Sequence, residues 1–420
     1  MKLTSHMRKL ALGATALSSL ALLGTALPAA AAIKGPIKIG VIGEASSVAG
    51  AAIINASKLA AENINAHGGI NGHKVEVITY DDHSSASDAV SAFKRLATQD
   101  KVDAIVGSYM SEVVLALEPW AARLHMPYIS PGAASTKIPL QVHEHYNQYK
   151  YTFQGWLNSA FLAQSVCDFT KDVFVDKYHM KTTVIMSEDA AWTAPLDATY
   201  KKCLPKVGVK VLDEIRFNPD TSDFTPIFNK IEGLHPDFIT TGISHVGVRP
   251  TVQWHDQQVP LAMTGISSQA STSTFWKDTN GAAEGVLTQT GATPTVAITP
   301  KTIPFAKAYA KAYGDSPSYV GYAAYDDVHV IADAIKRANS TNPDKIVSAM
   351  EKTDYVGTVG RIQYYGKDSI YAHGLKYGKG LVTGLFIQWQ DGKQVAVWPD
   401  KLADGKIKFP SFVKLPTATH

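Results

Sequence analysis

The sequence is poor in cysteine, carries almost no net charge and, past its first 32 residues, contains no long apolar run. Each absence excludes something. Only Cys167 and Cys203 occur, with no histidine pair near them, which excludes a zinc cluster. No run of about 18 or more apolar residues follows residue 32, so a membrane-spanning helix is excluded there. Lysine and arginine number 40 against 37 acidic residues. Lys2, Arg8 and Lys9 precede residue 10, and the first 32 residues hold no acid, which leaves 37 of each sign beyond them. That balance removes any global electrostatic case for nucleic acid or an anionic membrane surface as partner.

Motifs of catalysis are missing as well. The stretch Gly40 to Gly50 (GVIGEASSVAG) lacks the G-x-G-x-x-G spacing that seats a pyrophosphate on a helix N-terminus. There is no Walker A loop, no G-x-S-x-G elbow and no H-E-x-x-H. The closest histidines, His143 and His145, fall in the polar segment QVHEHYNQY, which reads as a solvated loop or an approach to a lobe crossing. Asp81-Asp82 and Asp326-Asp327 are adjacent carboxylates that diverge on a strand or helix, so capping and solvated charge are their expected roles. The expectation is a protein that is not an enzyme and uses no cofactor or metal.

What is present begins with an address. A basic start, an apolar run from Leu10 to Leu27, Pro28 and then Ala29 to Ala32 make the three-part pattern of a secretory signal peptide, residues 1–32, cleaved after about Ala32. No cysteine stands at the cleavage point to carry a lipid. An oxidising destination makes a Cys167–Cys203 disulfide the expectation, with buried free thiols as the competing reading. The remaining 388 residues exceed what one core normally holds, so two domains are expected.

Short apolar strands then alternate with amphipathic helices. Strands are predicted at 37–42, 75–80, 103–106 and 127–130, with helices at 50–65, 86–98 and 111–124 between them. The pattern restarts after residue 159. Helices are predicted at 159–178, 195–207, 224–231 and 247–258, and strands at 182–186, 209–215, 237–241 and 261–264. This is the signature of parallel sheets covered on both faces, here two doubly wound lobes of an α/β fold in series. Segment 285–290, helices at 304–313 and 319–339, and a hairpin around Asp391-Gly392 are more than either sheet needs. The chain is therefore read as weaving between lobes, with residues 33–152 plus 291–360 in lobe I and 153–290 plus 361–416 in lobe II. Several crossings make a hinge, the geometry of clamshell closure. Thr417 to His420 reads as a frayed tail.

Open α/β sheets bind ligands beyond the carboxyl ends of their strands. In the first lobe those ends carry Gly107-Ser108-Tyr109-Met110-Ser111 and Pro131-Gly132-Ala133-Ala134-Ser135-Thr136, small and hydroxyl-rich loops suited to a polar or anionic head. In the second lobe they carry Ser187 to Trp192, Gly242-Ile243-Ser244-His245 and Gly265-Ile266-Ser267-Ser268. Trp192 is expected to expose a large apolar face there. Turn-making and helix-capping compete with binding at each single residue. Two such loops side by side favour a site.

Several of these segments resemble a known family. Asn65-x-x-Gly68-Gly69-Ile70-Asn71-Gly72-x-Lys74-Val75-Glu76-Val77, running into Tyr80-Asp81-Asp82, is similar to the signature of the leucine/isoleucine/valine-binding family of periplasmic solute-binding proteins. Pro127 to Gly132 and Gln388 to Lys393, with Trp398-Pro399, resemble its later landmarks. The resemblance implies a type I periplasmic-binding-protein clamshell with three interlobe crossings, a small-molecule ligand and delivery to an inner-membrane ABC permease. A periplasmic monomer is expected. It also implies that Ser111 binds a ligand carboxylate, that Gly132 and Ala133 give backbone contacts and that Trp192 closes on the ligand. Tyr109, Ala134, Ser135, Ser244, His245 and Ser267 complete the expected ligand-binding set. Amino-acid binders of the family place a Tyr and a Glu near the positions of Ser244 and Ser267 to hold an ammonium, and this chain departs from that pattern. Glu188 and His245 are the candidates to replace them. Branched-chain amino acids, aromatic or aliphatic acids and amides all remain as ligands. A membrane-receptor sensor and, remotely, a hydrolase are the alternatives.

Overall fold

A computed structural model describes residues 33–416, and the expected signal peptide and the tail Thr417–His420 lie outside the described residues. The first sheet holds β1 (Ile37–Ile42), β2 (Val75–Tyr80), β3 (Ala104–Gly107), β4 (Tyr128–Ser130) and β5 (Thr152–Gln154). Its order is β2-β1-β3-β4-β5 and every pairing is parallel. α1 (Val48–Ala66), α2 (Ala86–Arg95), α3 (Ser111–Leu124), α4 (Lys137–Glu144) and α5 (Tyr146–Tyr149) make its connections. The inner strands β1, β3 and β4 are almost wholly buried because helices cover both faces, as a parallel sheet requires.

After β5 the chain passes through α6 (Ser159–Phe169) into a second sheet of the same plan. β6 (Thr182–Glu188), β7 (Lys210–Phe217), β8 (Phe238–Ile243) and β9 (Ala262–Ser267) lie in the order β7-β6-β8-β9, all parallel. α7 (Thr193–Cys203), α8 (Thr225–Gly233) and α9 (Arg249–Asp256) connect them, and the short α10 (Phe275–Asp278) leads on to β10 (Leu287–Thr290). The chain then returns to the first lobe with α11 (Thr302–Tyr313) and α12 (Tyr319–Ala338), which packs along α1. α13 (Pro343–Met350) and a small pair, β11 (Tyr355–Val356) with β12 (Arg361–Ile362), follow. Finally β13 (Leu385–Gln390) and β14 (Lys393–Trp398) close an antiparallel sheet on β10. The chain therefore crosses between lobes three times. The hairpin turn takes φ +50° at Asp391 and +79° at Gly392, the left-handed pair that a two-residue loop needs.

Cys167 of α6 and Cys203 of α7 are disulfide-bonded, with Cα atoms 6.1 Å apart. Three expectations need correction. The segment containing His143 and His145 is helical rather than loop, spanning α4 and α5, and no cluster among the described residues could hold a metal. The helices expected at 86–98 and 159–178 both end in widened π turns, at 96–100 and 170–175. Asp326 and Asp327 are not solvated: each is 1 % exposed on α12. Asp326 accepts from Thr358 N and Oγ1 at 2.7–2.8 Å, while Asp327 fills the space where Gly155 lacks a side chain. Burial pushes the Asp326 carboxyl up to about 7 and holds Asp327 well above its ordinary value. Asp326 thus ties the crossing near Thr358 to α12 by hydrogen bonds, while Asp327 packs against the crossing at Gly155.

Candidate ligand-binding site

A cleft holding about 500 Å³ of empty space, mouth included, lies between the carboxyl ends of the two parallel sheets. On the first lobe, Tyr109, Ser111, Gly132 and Ala134 line it, as expected from sequence. Ser111 is the first residue of α3, whose entry residue Met110 provides no side-chain cap. The first N–H groups of a helix have no intrahelical partner and carry the positive end of its dipole, so this point is suited to an anion. Ser111 Oγ accepts from Ser135 N at 3.1 Å and keeps its own proton to donate. Gly132 is required by shape: a Cβ there would sit 2.6 Å from both Tyr109 Cβ and Val320 Cγ1. Tyr109 is neutral, its hydroxyl pushed up to about 12, chiefly by burial.

Ala133 and Ser135 do not line the cleft but hold its loop. Ala133 N donates to Ser130 Oγ, and both carbonyls accept from Gln154 Nε2. They are supports.

The second lobe is built around one carboxylate. β6 runs two residues beyond the predicted strand, so Glu188 ends it and is fully buried. Glu188 Oε2 accepts from the N–H groups of Ser244, His245 and Val246 at 3.0, 2.8 and 3.3 Å. Glu188 Oε1 accepts Trp192 Nε1 at 3.0 Å and lies 2.6 Å from His245 Nδ1. Burial alone would raise Glu188, but the hydrogen bond and charge of His245 outweigh it and hold it below its ordinary value. Burial likewise works to lower His245, and the Glu188 partner raises it instead.

Glu188 is therefore spent and cannot receive a ligand ammonium. Trp192, expected to present an exposed face, is only 5 % exposed, its indole fixed at the N-terminus of α7 as a cleft wall. Ser244 and His245 line the cleft. Ser267 does not: its backbone is engaged with Thr288 Oγ1, and Ile266 and Ser268 take the lining instead.

Sequence reasoning missed part of the wall. Tyr319, Leu162 and the β10 residues Gln289 and Thr290 also line the cleft, beside Trp156. Tyr319 and β10 belong to segments that return from far along the chain, so no local signal marks them. The Trp156 and Tyr319 rings pack 5.4 Å apart, and Gly291 leaves room for the Trp156 ring. Glu112 Oε1 accepts Ala191 N at 2.7 Å, and Ser159 Oγ lies 2.8 Å from Ala134 O and 2.6 Å from Trp192 O. The two lobes thus touch across the cleft.

Two doubly wound lobes, three crossings and a cleft walled by aromatics with one anion-suited end define a solute-binding clamshell. Residues 36–377 match the family model described as periplasmic binding protein, and the chain belongs to that family. It is 25 % identical over 369 residues to Leu/Ile/Val-binding protein homolog 8 of Brucella melitensis, covering 84 % of this chain and 87 % of that one. Its fold matches the branched-chain amino acid transporter substrate binding protein LivJ of Streptococcus pneumoniae, solved with isoleucine. The TM-score is 0.73 at 24 % identity, over 87 % of this chain and all of that one. A solute-binding protein of an ABC transporter from R. palustris, solved with benzoate, matches at TM-score 0.73 and 16 % identity, over 90 % and 99 % of the two chains. These relatives are binding proteins rather than enzymes. No described helix is long and apolar enough to cross a membrane.

Proposed function

We propose that the protein is the periplasmic receptor of an ABC importer, exported by its leader, which closes on a small carboxylic acid and delivers it to an inner-membrane permease. In this reading residues 33–152 with 291–360 form one lobe and 153–290 with 361–416 the other. β5 pairs with β4 as far as Gln154, which favours placing the passage just after it.

One observation carries the choice of ligand: among the described residues no Asp or Glu lines the cleft, and His245 is the one lining side chain that can carry charge at neutral pH. An ammonium taken out of water needs a strong acceptor, and Glu188 has none of its capacity left. A carboxylate, by contrast, meets Ser111 and the start of α3 on one wall and His245 on the other. The names of the relatives favour a branched-chain amino acid as the second reading. Thermal-shift and calorimetric screening of aromatic acids, aliphatic acids and amino acids separates the two. Stabilisation by simple carboxylates is expected, and stabilisation by leucine or isoleucine alone would refute the acid reading.

A further inference from the structure

Gln289 lines the cleft, and two further glutamines use Nε2 to hold the loops that border it. Gln154 Nε2 donates to Ala133 O and Ser135 O, and Gln269 Nε2 donates to Ser244 O at 3.0 Å. In each case the amide holds a cleft loop in place. The neighbouring sheet shows the same economy: Gln388 Nε2 and Gln390 Nε2 both donate to backbone carbonyls. Gln289 differs. It lines the cleft from β10 and is 5 % exposed, yet its Nε2 has no hydrogen-bond partner among the described residues. Gly384, at φ +71°, leaves the space this amide occupies; a Cβ there would overlap Gln289 Nε2. The backbone thus makes room for a polar side chain that the protein does not satisfy. Buried donors are nearly always paired, and beside a ligand cleft the missing partner is naturally the ligand.

We infer that Gln289 is a specificity-determining residue that recognises a neutral hydroxyl group on the ligand, separate from its carboxylate. This rests on the carboxylate reading of the cleft. Gln289 and the α3 N-terminus lie on different lobes, so one ligand spanning the cleft meets both. Charge narrows the class further. The amide is neutral, and a turn about its last torsion presents either oxygen or nitrogen, so it suits a hydroxyl, which both donates and accepts. A second carboxylate would find no second cation, because His245 is the one basic side chain among the described residues that line the cleft. With Trp156, Trp192 and Tyr319 as walls, the ligand is a hydroxylated monocarboxylic acid with an apolar or aromatic body.

Calorimetry on the purified protein with benzoate against 4-hydroxybenzoate, and hexanoate against 6-hydroxyhexanoate, tests this. Wild type should bind a hydroxylated acid about tenfold or more tighter than its parent. Gln289→Met and Gln289→Leu should reduce that ratio to about threefold or less. Melting curves without ligand identify which variants are folded, and either one suffices. No preference in wild type for either pair, or a preference that survives in a folded variant, overturns the inference. Failure of all four acids to bind overturns the carboxylate reading beneath it.

Discussion

The two lobes share a strand order and place loops at the same strand ends, yet they treat their backbone donors in opposite ways. In the first lobe the residue entering α3 gives no side-chain cap, and Met110 and Ser111 line the cleft, so the helix start is left to meet an anion there. In the second lobe the equivalent loop donates three N–H groups to Glu188, which also fixes Trp192 and His245. One wall is left free to meet an anion, and the other uses its donors to rigidify an aromatic face and one imidazole. The difference teaches that equal topology does not give equal chemistry; one buried carboxylate decides which groups are free.

The sharpest way to break this contrast is Glu188→Gln. It keeps the shape but gives up the charge shared by five donors, and the expected loss is about 3–5 kcal/mol of stability, read by urea denaturation. An effect under about 1 kcal/mol would mean that the loop holds itself. Next comes the disulfide, which joins the far ends of α6 and α7, while Ser159 and the Trp192 carbonyl meet at their cleft ends. Cys167→Ser with Cys203→Ser should cost roughly 3–4 kcal/mol for a bridge spanning 36 residues, seen as a lower denaturation midpoint.

Two binding variants then compare the walls directly. Trp192→Ala should weaken ligand binding by about 2 kcal/mol or more. Ser111→Ala should weaken it by about 1–2 kcal/mol and also lower the melting temperature, because the buried Ser135 N–H loses its acceptor at a cost of about 1–3 kcal/mol. Equal binding losses paired with equal stability losses would erase the proposed division of labour.

The smallest effect is in pH. His245 is raised above its ordinary 6.5 by Glu188, so its stabilising contribution is complete below that value and lost as pH rises through the raised folded value. Glu188 is lowered below its ordinary 4.5, so its share is complete above that value and lost as pH falls through the lowered one. The pair is therefore firmest between the two. Carboxylate affinity should fall by a few-fold as pH climbs past the His245 transition, and titration calorimetry across that range reads it.

Much of the fold was legible because period and length are local properties. IKIGVI, VEVITY and TTVIM read as strands, α3 starts and ends where its pattern says, and Asp391-Gly392 marks the hairpin. What escaped was short or lacked clear periodicity. β5 is three residues, TFQ, too few for a period, and the His143 segment hides its helices behind polar side chains. α13 did carry a start signal in Asn342-Pro343-Asp344, with the Asn342 side chain accepting from Lys345 N.

The site divides in the same manner. Ser111, Gly132, Trp192 and His245 could be named because strand ends are where such sheets bind, a rule that needs only the strand positions. The sequence by itself therefore determined two parallel lobes, the clamshell class and the strand-end loops. Only the tertiary structure decided which groups in those loops are free. Glu188 meets residues 244 to 246 across more than fifty positions, Tyr319 and Gln289 return from other segments, and Asp326 and Asp327 turn inward to the lobe crossings. Hydrogen-bond satisfaction is set by distance in space, and no spacing along the chain encodes it.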